Sequence, residues 1–279
     1  MKLQENIKNL KIGVIGCGSM GGEIIKSIIK KEIPNSSLIW VFDEDKSRIS
    51  KFNFQSPTKI FFPNNLKEAI NIKNVDLIVE AASPYFVKEN CLKILESGKS
   101  MLIMSSGALI SNNFYTKINE TCSLYGSKIY VPSGAVGGID AIKSVKNHLQ
   151  DIKIKTTKHP DSLMGAQGYK KFENTKIDTK TTIFEGNASE AIKLFPANVN
   201  ISATISLIGI GPERTKVIVI ADPNTDKNTH EIFVDSDAGN FSFKLENFPH
   251  PNNKKTSYLA ILSAIETLKS ITKVSNIGT

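Results

Sequence analysis

Cysteine, histidine and tryptophan are all scarce in this chain of 279 residues, which holds three, four and one of them. Cys17, Cys91 and Cys122 are odd in number and have no paired ligand spacing, so neither a disulfide framework nor a metal site is expected, and a reducing compartment fits. Long apolar runs are missing too. None reaches the roughly 18 residues that a membrane-crossing helix needs. The stretch Met1 to Leu10 shows neither an apolar core nor a small-residue cleavage site, so a soluble, cytoplasmic protein without a membrane partner is expected. No block of one charge sign stands out either. The net charge is +8, but the lysines are spread along the chain and nearly every short stretch also carries Asp or Glu. With no basic helix-turn-helix, nucleic acid is not expected as a partner. A field of this kind serves instead to concentrate a small anionic substrate. There is no internal repeat and no low-complexity segment.

What is present begins with Lys11-Ile-Gly-Val-Ile15, an apolar strand pattern that runs into Gly16-x-Gly18-x-x-Gly21 and then into a helical pattern carrying Ile24, Ile25, Ile28 and Ile29. Strand, glycines and helix in that order form the dinucleotide fingerprint. Gly16 permits the tight turn, Gly18 lets a pyrophosphate approach the backbone, and Gly21 lets the helix pack on the strand. The first-turn N–H groups, from Ser19 and Met20 onward, point at the anion. The same glycines also suit a plain strand-to-helix turn. A second strand, Leu38 to Phe42, ends at Asp43, about 20 residues beyond the fingerprint, where a carboxylate accepts hydrogen bonds from ribose hydroxyls. NAD is favoured on that ground. Lys46 and Arg48 follow closely enough to leave NADP possible, and Asp43 also fits an ordinary helix start.

Further strand patterns at Ile60 to Phe62, Val75 to Ala82, Met101 to Met104 and Lys128 to Val131 alternate with helical stretches, which implies a parallel sheet covered on both faces. Ser83-Pro84 opens one helix, and Gly98 and Gly126 close two. Ligands of such sheets lie beyond the carboxyl ends of the strands, so Ala81, Ala82, Ser83 and Ser106 are expected to flank the cofactor. From Val131-Pro-Ser-Gly-Ala-Val-Gly-Gly138 the texture changes, as at a ligand-approaching loop or a hinge. The later strands, Ile152 to Thr157, Thr181 to Glu185, Thr215 to Ala221, Thr229 to Val234 and Phe241 to Leu245, predict a mainly antiparallel sheet. One helix opens at Asn187 with Glu190 three residues on, another near Pro196 with Val199, Ala203 and Leu207 inward. The last helix, from Ser257, sets Leu259, Leu262, Ile265 and Leu268 at helical spacing.

Four motifs go further: Val131-Pro-Ser-Gly-Ala-Val-Gly-Gly-Ile-Asp140, Phe195-Pro-Ala-Asn-Val-Asn-Ile-Ser-Ala203, Asn228-Thr-His-Glu-Ile232 and Lys255-Thr-Ser-Tyr-Leu-Ala-Ile-Leu-Ser-Ala264. In this order they resemble the L-aspartate dehydrogenase family over nearly the whole chain. The resemblance implies an α/β chain with two domains. A Rossmann domain with a doubly wound parallel sheet takes residues 1–133 plus the terminal helix 256–279. An α+β substrate domain takes residues 134–255. It further implies that His230 is catalytic, that Ala135 and an asparagine of the Asn198-Val-Asn200 pair touch the cofactor, and that the second domain holds the substrate. The reaction implied is NAD(P)-dependent deamination of L-aspartate, or its reverse from oxaloacetate plus ammonia, linked to NAD biosynthesis. A homodimer is the expected assembly. Asp235-Ser-Asp-Ala-Gly239 and Lys254 depart from the family pattern, at positions with no chemical role.

Oxidising an amino acid at its α-carbon needs a neutral amine and later an activated water, proton steps that a group titrating near pH 7 performs. Yet His230 shares a strand face with Ile232 and Val234, where an ordinary core histidine also fits. His148, His159 and His250 read as loop or surface residues. Lys158 and the backbone of Ser133 and Gly134 are candidates for the substrate carboxylates. Two alternatives stand beside this reading: a reductase of another small carboxylated imine or carbonyl, and a non-catalytic NAD(H) sensor in which His230 has no chemical task.

Overall fold

A computed structural model of the chain describes residues 9–50, 59–196, 200–251 and 253–273. It divides into two compact units, one of Met1–Ala108, Asn113–Pro132 and Ile261–Thr279, the other of Leu109–Asn112 and Ser133–Ala260.

The first unit is built on a parallel sheet. Its elements in chain order are β1 (Leu10–Ile15), α1 (Ser19–Ile29), β2 (Ser36–Phe42), α2 (Lys46–Ser50), α3 (Leu66–Asn71), β3 (Leu77–Glu80), α4 (Pro84–Glu96), β4 (Ser100–Ile103), α5 (Asn112–Tyr125) and β5 (Ile129–Tyr130). The strands lie in the order β2-β1-β3-β4-β5, every neighbour parallel. Such pairing needs a crossover between strands, and the alternating helices supply it. β1 contains Gly13 because Trp40 of β2 lies against it: a Cβ there would come within 2.3 Å of the indole. Ile24, Ile25 and Ile28 of α1 join Ile12, Val14, Leu77 and Val79 in one apolar core. Gly98 and Gly126, both with positive φ, follow α4 and α5 as helix-closing residues.

The predicted strand at Ile60 to Phe62 is reduced to a single parallel bridge, Phe61 to Trp40, held by Phe61 N to Ile39 O and Val41 N to Phe61 O. Pro63 follows and has no N–H with which to extend the pairing.

The second unit holds α6 (Ile139–Ser144), β6 (Leu149–Lys158), β7 (Thr181–Asn187), α7 (Ala188–Leu194), α8 (Asn200–Ile208), β8 (Lys216–Ala221), β9 (Asn228–Ser236), β10 (Phe241–Asn247), β11 (Pro249–His250) and β12 (Asn253–Ser257). Its main sheet has the order β10-β9-β6-β8-β7. Three of the pairings are antiparallel and one, β6 with β8, is parallel. β8 and β9 follow one another along the chain, but β6 lies between them. It offers an apolar inner row, Ile152 and Ile154, that both flanking strands match with Ile232, Val234 and Val217.

Strand alternation sets the faces. Ile152, Ile154, Ile232 and Val234 point inward, while Lys153 and Lys155 point out, over the ring of Phe233. α7 opens with the expected capping box, Asn187 accepting from Glu190 N and the Glu190 carboxylate accepting from Asn187 N. α8 is buried on nearly every side, from Ile201 to Ser206. Its predicted start, Pro196, is a turn residue, and residues 197–199, with the predicted inward Val199, lie outside the described residues.

The terminal helix α9 (Tyr258–Thr272) contributes Ile261, Ala264, Ile265 and Leu268 to the core of the first unit. Leu262, expected inward, is exposed, because the i, i+3, i+4, i+7 set that packs begins at Ile261. His250 is likewise not a surface residue. It is 4% exposed, sits in the β11–β12 hairpin and lies 5.5 Å from the ring of Tyr258.

Candidate active site

In the first unit the three glycines have different reasons to be glycine. Gly16 has φ +92°, and a Cβ on it would stand 2.5 Å from Ala81 O; a Cβ on Gly21 would stand 1.9 Å from Gly16 O. Those two are demanded by the turn itself. Gly18 is not, for a Cβ there meets nothing within 4 Å. It is the N-cap of α1, with no side chain capping the helix and no acid in the first turn. The donors of that turn are therefore left for a ligand, and the space over Gly18 is the cradle that a pyrophosphate requires. A dinucleotide fits this site.

Asp43 lies at the end of β2 and is 7% exposed. Its Oδ2 accepts from Cys17 N at 2.7 Å and its Oδ1 from Asp45 N at 2.9 Å, and Arg48 approaches Oδ2 at 3.8 Å. The carboxylate thus braces the glycine turn from the position where a ribose is expected. Cys17 is no nucleophile, since burial, aided by the Asp43 charge, pushes its thiol up to about 12.

Across the sheet, Glu80 ends β3 with no exposure at all. Its carboxylate accepts from Ala82 N at 2.8 Å, from Ser105 N at 3.1 Å and from Ser105 Oγ at 2.9 Å, tying together the turns that follow β3 and β4. Burial raises its pKa, and these donors pull it back. Beside it lie Ala81, nearly buried, and Ala82, exposed. Ser83 Oγ caps α4 by accepting from Phe86 N at 3.1 Å. Ser106 opens a short 3-10 turn and is 3% exposed.

The second unit concentrates its polar side chains at one end of one sheet face. Strand register lines up Val219, Thr156, His230 and Leu245 across β8, β6, β9 and β10. The row beyond runs through Ala221, Lys158, Asn228 and Asn247. Behind both rows the same face is apolar, from Ile154 to Ile232.

His230 is 1% exposed, and its Nδ1 shares a hydrogen bond of 3.1 Å with Thr156 Oγ1. Burial, with the nearby Lys158 charge, pushes the imidazole down to about 3, so it is neutral at pH 7 in the free site. The near-neutral titration expected of a histidine is absent because its charged form has been taken out of water. Lys158 is 3% exposed and lowered by burial to about 8, which leaves it cationic at neutral pH.

Asn247 Nδ2 donates to Ala135 O at 3.0 Å and so fastens the loop of Ser133, Gly134 and Ala135 to the end of β10. Gly138, with φ +75° and a virtual Cβ 2.4 Å from the ring of Phe243, anchors the other end of that loop. Gly209, just past α8, lies against Ile152 and Leu149 at the start of β6, and Asn200 is the first residue of α8. Asn198 lies outside the described residues.

The residues predicted from sequence therefore fall into two groups. Gly16, Gly18, Ser19, Met20, Gly21, Asp43, Ala81, Ala82, Ser83 and Ser106 surround the strand ends of the first unit. Ser133, Gly134, Ala135, Lys158, Asn200 and His230 belong to the second. Glu80, Thr156, Asn228 and Asn247 were not anticipated. A charge closing the apolar run Leu77-Ile-Val-Glu80 was a visible signal. For Thr156 and Asn247 the only signal was their place on the inward positions of strands, whereas Asn228 also opens the Asn228-Thr-His-Glu-Ile232 motif. Among the described residues no group of His, Cys, Asp or Glu could hold a metal ion, and no helix is long and apolar enough to cross a membrane.

Residues 16–132 match the family model described as homoserine dehydrogenase, NAD binding domain, and residues 140–271 match aspartate dehydrogenase, C-terminal. A glycine cradle in one unit and a buried histidine near a buried cation in the other place the chain among the nicotinamide-dependent oxidoreductases. The L-aspartate dehydrogenase of Nitrosopumilus maritimus is 43% identical over 261 residues, 93% of this chain and 95% of that one. That of Methanosarcina barkeri is 43% identical over 273 residues, 97% of this chain and all of its own. The crystal structure of aspartate dehydrogenase from Thermotoga maritima superposes with a TM-score of 0.75 at 29% identity, covering 96% of this chain and 99% of the other. The chain belongs to the L-aspartate dehydrogenase family.

Proposed function

We propose that this chain oxidises L-aspartate to iminoaspartate, which water converts to oxaloacetate and ammonia, and that it catalyses the reverse reductive amination. When bound, the nicotinamide cofactor supplies the two-electron chemistry at the α-carbon. The observation that carries the reading is the buried cluster of His230, in register with Thr156, and Lys158 one row beyond on an otherwise apolar sheet face. A pure core has no use for two buried titratable groups side by side, and removing such groups from water without a task is costly.

The roles divide as follows. The first turn of α1, over Gly18, receives the pyrophosphate, with Gly16, Ser19, Met20 and Gly21 shaping the turn. Asp43 accepts from ribose hydroxyls and repels a 2′-phosphate, so NAD is used in preference to NADP. Ala81, Ala82, Ser83 and Ser106 line the strand ends, and Ala135 with Asn198 or Asn200 contacts the cofactor. Lys158, still charged at pH 7, attracts a substrate carboxylate, with Ser133 and Gly134 amides beside it. His230, neutral at pH 7, is in the form that accepts a proton. An arriving dianion offsets the Lys158 charge and raises the basicity of the imidazole, so the base strengthens when substrate is present. The enzyme works as a cytoplasmic homodimer that feeds NAD biosynthesis.

The test is an absorbance assay of purified protein with L-aspartate and either NAD or NADP, and with oxaloacetate, ammonia and NADH in reverse. Turnover in both directions, faster with NAD, is expected. No turnover of aspartate with either cofactor ends the proposal, and a strong NADP preference removes the role given to Asp43.

A further inference from the structure

Among the described residues, one buried donor at the end of the second sheet has no acceptor. Asn228 is 1% exposed, and its Nδ2 finds no acceptor among the described residues. A buried donor in that state is a penalty on the fold, and native structures retain few of them without a reason. Its neighbours define what the missing acceptor is. Thr157 pairs with Thr229, so the next residues across the two strands are Lys158 and Asn228. On the other side Asn228 faces Asn247, whose own Nδ2 is spent on Ala135 O at 3.0 Å. His230 stands two residues along the same face, about 7 Å away at the rise of a strand. An acceptor that meets a buried amide donor beside a buried ammonium is an anion, and a carboxylate reaches both groups at once.

We propose that Asn228 is a specificity-determining residue that recognises the side-chain carboxylate of the amino-acid substrate, shared with Lys158, while the reacting carbon and its amine face His230. The inference rests on the aspartate reading above. The α-carboxylate sits on the reacting carbon itself, whereas the side-chain carboxylate is one carbon removed, and the two-residue separation of His230 from Asn228 suits the more distant group. Asn228 Nδ2 thereby lacks a partner only until the substrate arrives. A substrate without the second carboxylate leaves it unsatisfied, and that is a means of rejection.

The experiment compares wild type, Asn228→Leu and Asn228→Ser by thermal unfolding with saturating NADH, with and without L-aspartate. Alongside it run the KM values for L-aspartate and for ammonia, and inhibition by succinate, which carries two carboxylates and no amine. In the variants the KM for aspartate and the inhibition constant of succinate are expected to rise together by roughly 10- to 100-fold, the usual worth of a hydrogen bond to a charged group. The aspartate-dependent rise in Tm disappears with them, while NADH affinity and the KM for ammonia hold. If either folded variant keeps both constants within about twofold of wild type, Asn228 does not read the carboxylate. Should Asn228→Leu fail to fold, the serine variant decides. A wild type that turns over no aspartate overturns the aspartate reading and this inference together; an active wild type with unaffected variants overturns this inference alone.

Discussion

His230 shows how far one residue's chemistry depends on its surroundings. Histidine is the ordinary side chain for proton transfer near neutrality, yet here burial and the Lys158 charge both oppose the imidazolium and hold it at about 3. The free site therefore contains a neutral base beside a cation, an arrangement suited to a dianionic substrate. Replacing His230 by Ala should lower aspartate turnover by roughly 10²- to 10⁴-fold, about 3–5 kcal/mol of transition-state stabilisation, with NADH affinity nearly unchanged. A histidine that merely filled the core would act differently, its loss lowering Tm through a cavity and an unpaired Thr156 hydroxyl while folded molecules kept their activity. Turnover per folded site, measured beside Tm, separates the two. Thr156 itself was not anticipated because a threonine in an alternating strand reads as a good strand former and nothing more.

At the scale of the element, the turn between β1 and α1 separates packing from function. Gly18 has φ −66°, open to any L-residue, and its virtual Cβ touches nothing within 4 Å. Gly18→Val should therefore fold with a stability change of no more than about 0.5 kcal/mol, as at an unconstrained surface position, while NADH binding falls because the valine occupies the cradle. Gly21→Ala places its methyl 1.9 Å from Gly16 O and should instead lose about 1–3 kcal/mol through overpacking. Calorimetric titration with NADH and a melting curve on each variant check the contrast, and undiminished NADH affinity in Gly18→Val would show that the cradle lies elsewhere. The helix α1, its apolar face and the glycine spacing were all legible because they are local. The helix α9 was legible as a helix but one residue out in its buried face, since Leu262 and Ile261 are equally apolar and only the core decides between them.

For the molecule as a whole, buried titratable groups become a dependence of stability on pH. The folded pKa of His230, about 3, lies below its unfolded value of about 6.5, so between those values the unfolded chain takes up a proton that the folded chain refuses. Its contribution is intact above pH 6.5 and is lost as the pH falls toward 3, at up to about 1.4 kcal/mol per pH unit for the one proton. His230→Asn should flatten the acid limb of a urea-midpoint profile between pH 6.5 and about 4 relative to wild type. A parallel profile would mean that His230 is already protonated or solvated in the folded protein.

The sequence by itself determined what repeats locally along the chain. Periodicity marked the strands and helices, glycine spacing marked the turn from β1 into α1, and Asn187 with Glu190 marked a helix start, because each depends on residues a few positions apart. Only the tertiary structure decided what distant segments share. It set β6 between β8 and β9, brought Thr156 to His230 across 74 positions, and fastened Asn247 to Ala135 across 112. It also took Lys158 and His230 out of water and left Asn228 Nδ2 without an acceptor among the described residues. The physical reason is that hydrogen-bond pairing, register and desolvation are set by neighbours in space, and in a sheet of mixed direction those neighbours are not adjacent in the chain.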